Sequence, residues 1–106
     1  MNMCDEINTA NFQREILQSR IPVLLDFFAP WCAPCRMLSA VLDDISEDYD
    51  GLISVCRVNV DDEAELSDKY NINEIPTVIF FKNGRPTDRF TGFRGADEIE
   101  AMISRI

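Results

Sequence analysis

The chain has 106 residues, of which 46% are hydrophobic and 27% are charged, and its formal net charge is −9. This length fits one domain, residues 1–106, and the composition is typical of a soluble globular fold rather than a disordered or membrane protein. The negative charge repels phosphate backbones. We therefore expect one folded domain that binds neither nucleic acid nor membranes.

The amino-terminal residues and the apolar runs bear on the location of the protein. Residues 1–10 include Asp5 and Glu6 and contain neither a basic stretch nor an apolar stretch, unlike a secretory signal. No segment approaches the roughly 18 apolar residues of a membrane span, and Asp26 interrupts the longest apolar run. The sequence therefore predicts a cytoplasmic protein, whose compartment keeps most thiols reduced.

The first half of the chain alternates between helical and extended patterns. A first helix is predicted after Asn8 or Thr9, either of which can cap it, and it should end near Arg20. Residues 23–28 are almost continuously apolar, as in a strand covered on both faces. Residues 34–49 place apolar side chains at helical spacing, which predicts a second helix directly after this strand.

The second half continues the alternation and adds a hairpin. The sequence predicts a β-branched strand at 52–60 and a short acidic helix at 62–70. A strand at 76–81, an Asn-Gly turn at 83–84 and a returning strand at 85–91 follow, and a last helix is predicted at 96–106. The first two strands with the helix between them form a parallel βαβ unit, whereas the hairpin adds an antiparallel strand. The sequence therefore predicts an α/β fold with a mixed sheet.

Cys32 and Cys35 lie between the predicted strand and the second helix. At this spacing one thiol can attack a disulfide and the other can release the product. Half of a zinc or iron–sulfur site is the alternative, but such sites need further Cys or His ligands. The chain has no His, and Cys4 and Cys56 lack a second close spacing. The pattern favours a redox pair and no metal.

Two further features follow from residue type alone. Asp26 stands between Leu25 and Phe27, which favours burial over a strand end that faces solvent, and burial raises the pKa of a carboxyl group. Cys56 is most simply a buried strand residue that behaves as a small apolar side chain, and Cys4 is a terminal thiol without an assigned role. A regulatory disulfide of either cysteine is the less favoured alternative.

The chain resembles the thioredoxin family over essentially its whole length. In this order and spacing the matching residues are highly specific, and they are Asp26, 31–35 (WCAPC), 59–61, 75–77, 81–84 and Gly92. The resemblance implies a single domain with the thioredoxin fold, in which a central mixed sheet of about five strands is flanked by about four helices. It also implies a protein-disulfide reductase that acts in cell redox homeostasis.

The resemblance also implies roles for the residues around the cysteine pair. Cys32 would be the attacking thiolate, because the amino end of a helix favours an anion. Cys35 would be the resolving thiol, and Asp26 beneath the helix would accept its proton. Supporting roles would fall to Trp31, Ala33, Pro34 and Arg57.

Substrate binding and electron supply follow from the same resemblance. The groove would be formed by Trp31, Glu74, Ile75, Pro76, Gly92 and Phe93. The peptide bond before Pro76 would be cis, and Ile75 would offer its backbone to an extended substrate segment. The protein would be a monomer without a bound cofactor, and a separate flavoprotein, thioredoxin reductase, would supply electrons from NADPH.

Several positions depart from the family pattern. Ala33 replaces a glycine, Phe28 a frequent tryptophan, and Ala40 a proline that often kinks the second helix. Arg57 stands where a lysine commonly neighbours the buried aspartate, and pairing with it would lower the aspartate's pKa and oppose desolvation.

Glu74 and Phe93 occupy positions where thioredoxins tend to carry small residues. Glu74 would disfavour acidic targets and Phe93 would add an apolar contact, whereas the alternative is that both are simply loop residues facing solvent.

Two other functions are compatible with this fold. One is an interaction or scaffold module whose cysteines are incidental, but the presence of both cysteines, Asp26 and Pro76 argues against it. The other is an oxidase or isomerase, whose active-site pair usually encloses a His that this chain lacks.

Overall fold

The computed structural model describes residue 4 and residues 6–106. Met1, Asn2, Met3 and Asp5, on which the expectation about a secretory signal partly rests, lie outside the described residues. The elements are a π-helical turn (Gln13–Leu17), β1 (Val23–Phe28), α1 (Ala33–Asp48), β2 (Ser54–Asn59), α2 (Ala64–Lys69), β3 (Thr77–Lys82), β4 (Arg85–Thr91) and α3 (Ala96–Ile103). None of the helices in this part of the chain has the length and apolar character needed to cross a membrane.

The four strands form one mixed sheet in the order β2-β1-β3-β4. β1 pairs with β2 in parallel, which sets Asp26 opposite Arg57. β3 pairs antiparallel with both β1 and β4. The predicted α/β fold with a mixed sheet is therefore confirmed.

Within the described residues the sheet has four strands, one fewer than the resemblance implies. Among the described residues, Cys4 and Ile7 of the amino-terminal segment each donate a backbone hydrogen bond to the open edge of β2. The N–H of Cys4 donates to the carbonyl of Val55 at 3.0 Å, and the N–H of Ile7 donates to that of Arg57 at 2.8 Å. These bonds extend the sheet beyond β2.

The two faces of β1 contact different apolar clusters. Leu25 and Phe27 pack in a cluster with Cys56 of β2, whereas Leu24 packs with Leu38 and other apolar residues of α1. Alternate side chains of a strand point to the same face. Asp26 therefore shares the face of Leu24, beneath α1.

The predicted first helix is shortened to the five-residue turn Gln13–Leu17. Asn8 and Asn11 exchange hydrogen bonds, each side-chain Oδ1 accepting from the other's backbone N–H at 3.0 and 2.8 Å. The N-cap residue of this turn is Phe12, which makes no side-chain cap hydrogen bond, so the predicted cap at Asn8 or Thr9 is wrong and the helix begins later. The remaining predicted elements agree with the observed ones to within a few residues at their ends.

Cys4, to which the sequence analysis assigned no role, takes part in a second disulfide. Cys4 and Cys56 form a disulfide, with their Cα atoms 5.1 Å apart. Burial of Cys56 in its strand is confirmed. Cys4 is near Cys56 because the amino-terminal segment lies along β2, a contact between residues 52 positions apart that no local pattern indicates.

Candidate active site

The cysteine pair lies where the chain passes from β1 into α1. Cys32 is the N-cap of the helix, and its sulfur accepts a hydrogen bond from the backbone N–H of Cys35 at 3.3 Å. Pro34 fits the first helical turn because the missing N–H of a proline has no partner to lose there. The predicted placement of Cys32 at the amino end of the helix is confirmed.

Cys32 and Cys35 form a disulfide, and their Cα atoms are 5.2 Å apart. Both residues are buried and pack in a small apolar cluster with Phe28 and Ala29. Ile75, from the loop before β3, packs against the same cluster. Three of the predicted site residues are therefore brought together by two separate parts of the chain.

Asp26 is completely buried in β1, with 0% of its surface exposed. Burial raises the pKa of its carboxyl group from 3.8 to about 7, because the low-polarity surroundings disfavour the charged form. Neither carboxylate oxygen has a hydrogen-bond partner among the described residues. The predicted burial of Asp26 is confirmed.

Arg57 of β2 forms the described ion pair with this carboxylate. Its Nε lies 3.6 Å from Oδ2 of Asp26, an ion pair that is too long for a hydrogen bond. The guanidinium lowers the pKa of Asp26, as expected, but desolvation is the larger effect, so the net shift is upward. The guanidinium also lies over the ring of Phe28, 4.1 Å from the centroid, in a cation–π contact that holds it at the rim of the site.

The loop before β3 meets the end of β4 beside the cysteine cluster. The Ile75–Pro76 peptide is cis, as the resemblance implies. The carbonyl of Pro76 accepts a hydrogen bond from the N–H of Gly92 at 2.8 Å. Thr77 ties the loop down further, because its hydroxyl donates to the carbonyl of Glu74 at 2.7 Å.

Trp31 and Phe93, two of the predicted groove residues, have exposed apolar side chains. Trp31 is 69% exposed and Phe93 is 42% exposed. Glu74 and Ala33 are exposed as well. The described contacts do not join the side chains of Glu74 or Phe93 to the cysteine pair, so their place in a substrate groove stays a prediction.

Asp61 is a site residue to which the sequence analysis gave no role. Its Oδ2 accepts a hydrogen bond from the indole Nε1 of Trp31 at 2.9 Å. The predicted parallel pairing of β1 and β2 could have indicated this contact, because the loops that follow two neighbouring parallel strands lie at the same edge of the sheet. An acidic residue directly after β2 could therefore have been assigned to the loop that carries Trp31.

No group of three or more His, Cys, Asp or Glu side chains that could hold a metal ion occurs within residues 4 and 6–106. The described site brings together the cysteine pair, one buried carboxyl group and one guanidinium. Such a set can exchange a disulfide and accept the proton that a thiol releases.

Comparison with known proteins gives consistent matches. The family model for thioredoxin matches residues 3–105. A thioredoxin of Rickettsia bellii is 42% identical over 102 residues, which are 96% of this chain and 97% of that protein. Thioredoxin 1 of Nostoc sp. is 41% identical over 92 residues, 87% of this chain and 86% of that protein. An M-type chloroplastic thioredoxin of Spinacia oleracea is 39% identical over 87 residues, 82% of this chain and 48% of that protein.

These matches extend over nearly all of the sheet and helices and include the cysteine pair. The chain therefore belongs to the thioredoxin family, and it is a thiol–disulfide oxidoreductase that reduces protein disulfides.

Proposed function

We propose that Cys32 is the thiol that attacks the substrate disulfide and that Cys35 resolves the intermediate. The observation that carries this assignment is the N-cap position of Cys32, whose sulfur already accepts the N–H of Cys35 at 3.3 Å. The unpaired N–H groups and the positive end of the helix dipole stabilise a negative sulfur there. Cys35 lies inside the helix, where a charged sulfur receives less of this support.

The reaction then proceeds by two exchanges. The Cys32 thiolate attacks one substrate sulfur, the substrate disulfide breaks, and the departing thiolate takes up a proton. Cys35 loses its proton and attacks the sulfur of Cys32, which forms the Cys32–Cys35 disulfide and releases the second substrate thiol. Two electrons pass from the protein to the substrate.

Asp26 is proposed as the acceptor of the Cys35 proton. Its pKa of about 7 supports this role, because the group gains and loses a proton near neutral pH. Its face of β1 also supports it, since Phe28, two residues further along that face, packs against Cys35. Arg57 is a positioning residue, whose charge keeps the pKa of Asp26 from rising further.

The substrate segment is proposed to bind between Trp31 and the loops that carry Ile75, Pro76 and Gly92. Ile75 packs against the cysteine cluster, so a chain paired with its backbone would bring a disulfide close to Cys32. Phe93 would add apolar contact and Glu74 would disfavour acidic substrates. Trp31 would cover the substrate from the opposite rim, held there by Asp61.

The supply of electrons and the setting of the protein are part of the same proposal. A separate flavoprotein, thioredoxin reductase, would reduce the Cys32–Cys35 disulfide with electrons from NADPH, and this chain would bind no cofactor itself. Residues 1–106 would act as one domain and as a monomer in the cytoplasm. Membership of the thioredoxin family supports the reductase and the disulfide substrates as partners. The cytoplasmic location does not follow from it, since one relative, from spinach, is described as chloroplastic.

The assignment of attack and resolution is tested by trapping. In Cys35→Ser, the second exchange cannot occur, so we expect mixed disulfides with a model protein substrate to accumulate through Cys32. Mass mapping of the trapped peptides identifies the linking cysteine, and insulin-disulfide reduction measures turnover. The matched variant Cys32→Ser should trap no substrate, and trapping through Cys35 in that variant would refute the assigned roles.

A further inference from the structure

The second disulfide lies apart from the active site and holds a different part of the fold. Cys56 belongs to the apolar cluster around Leu25 and Phe27, on one face of β1. The Cys32–Cys35 pair packs with Phe28, whose side chain points to the other face. A thiol that reacts with the Cys4–Cys56 disulfide must therefore reach the protein from a different side than one that reacts with Cys32–Cys35.

Cys4–Cys56 joins the amino-terminal segment to a sheet edge. β2 is the outermost assigned strand on its side of the sheet. The segment covers this edge through the two backbone bonds from Cys4 to Val55 and from Ile7 to Arg57. Edge strands with free N–H and C=O groups are sites of unwanted pairing, and covering them protects the fold.

The two ends of the segment are held by different means. Ile7 is buried in the core cluster and is anchored by its own side chain. Cys4 is only half-buried, and its contacts include the disulfide to Cys56 and the backbone bond to Val55. Loss of the disulfide should therefore loosen the segment at Cys4 first, while Ile7 remains in place.

We propose that Cys4 and Cys56 form a second thiol–disulfide exchange site, whose oxidation fastens the amino-terminal segment to β2 and whose reduction releases its Cys4 end. The exchange partner is a dithiol, either small or carried by a protein. This site is independent of the roles assigned to Cys32, Cys35 and Asp26.

The exchange begins at Cys4, the less buried residue of the disulfide. A thiolate of the dithiol attacks the sulfur of half-buried Cys4, and Cys56 leaves as a thiolate and takes up a proton. The second thiol of the dithiol then displaces Cys4, so two electrons and two protons move to the cysteines and the dithiol becomes a disulfide. A disulfide of the class that the protein reduces can form the bond again by the reverse steps.

The site is tested in a background where it is the remaining cysteine pair, Cys32→Ser/Cys35→Ser. Non-reducing peptide mapping should recover a Cys4–Cys56 linked peptide. Dithiothreitol should lower the midpoint of thermal unfolding by about 10 °C, because the disulfide closes a long loop. Hydrogen exchange at the Cys4 amide should accelerate by about 10-fold or more, with a smaller change at the Ile7 amide.

The matched control adds Cys4→Ser to the same background. This variant should resemble the reduced form and should not respond to dithiothreitol in either measurement. Peptide mapping of the unaltered chain provides a check that needs no substitution, and it should recover both the Cys4–Cys56 and the Cys32–Cys35 linkages. Free thiols at Cys4 and Cys56 in the oxidised protein, or identical melting and exchange with and without dithiothreitol, would overturn the proposal.

Discussion

Asp26 shows how burial and charge compete at a single residue. Burial away from solvent favours the neutral form of the carboxyl group, whereas the guanidinium of Arg57, 3.6 Å away, favours its charged form. The upward shift of the pKa to about 7 means that desolvation is the stronger influence. The site therefore contains an acid that is about half charged at neutral pH, where a surface aspartate would be fully charged.

This shift has a consequence for stability that depends on pH. The unfolded chain loses the Asp26 proton near pH 3.8 and the folded chain near pH 7, so between these values the folded state holds more protons. The contribution of Asp26 to the free energy of unfolding therefore falls as the pH rises from about 4 to about 7. A change of about 3 pKa units corresponds to about 4 kcal/mol.

Asp26→Asn should remove this pH dependence. Relative to the original chain, the variant should gain up to about 4 kcal/mol of unfolding free energy between pH 4 and pH 8. Urea denaturation of the oxidised proteins across this range measures the difference. Asp62→Asn, which removes the same charge at an exposed position, should show no such gain, and parallel curves for all three proteins would contradict the argument.

At the scale of elements, the β3–β4 hairpin depends on one glycine. Asn83 and Gly84 have φ angles of 54° and 79°, the left-handed pair of a tight hairpin turn that the Asn-Gly sequence predicts. A Cβ at Gly84 would lie 2.7 Å from the carbonyl oxygen of Leu17, a backbone atom of the π-helical turn. Gly84 is therefore required both by the hairpin turn and by the packing of the π-helical turn against the hairpin.

Gly84→Ala and Gly51→Ala separate these two requirements. Both glycines have positive φ, but a Cβ at Gly51 would meet nothing within 4 Å. Gly51→Ala should therefore lower the free energy of unfolding by about 1–2 kcal/mol through backbone strain alone. Gly84→Ala should lower it by about 3 kcal/mol or more, because a clash is added to the strain. Chemical denaturation measures both losses, and equal losses would show that the contact with Leu17 is unimportant.

The elements also show what could be predicted from sequence and what could not. The hairpin, β1 and α1 follow from local signals, namely the Asn-Gly turn, a continuous apolar run and helical spacing. The π-helical turn was not predicted because the spacing of its apolar residues indicates a helix without fixing its length or its hydrogen-bond pattern. The Trp31–Asp61 bond and the Cys4–Cys56 disulfide join residues distant in sequence, and only the pairing of the strands makes them neighbours.

For the whole molecule, the net charge of −9 affects every encounter with a substrate. A protein with this charge attracts basic polypeptides and repels acidic ones over a distance set by the ionic strength. The charge acts before any contact forms, so it influences the rate of association more than the chemistry at Cys32. Glu74 adds to the same preference at the rim of the proposed groove.

Salt should therefore act in opposite directions on two classes of substrate. Between about 0.1 M and 1 M salt the screening length falls from about 10 Å to about 3 Å. The second-order rate constant for a basic peptide disulfide should fall several-fold, and that for an acidic peptide disulfide should rise. Stopped-flow measurement with a neutral peptide of the same length is the control, and the same salt response for all three peptides would show that the net charge does not guide association.

The outer strand β4 has a consequence for behaviour at high concentration. Residues 85–89 are exposed, and three of them are charged: Arg85, Asp88 and Arg89. Pro86 has no N–H to offer, and a bulge displaces the strand from regular pairing near Phe80 and Phe81. A second molecule that approached this side would find no continuous row of donors and acceptors, so β4 protects the folded protein against edge-to-edge aggregation.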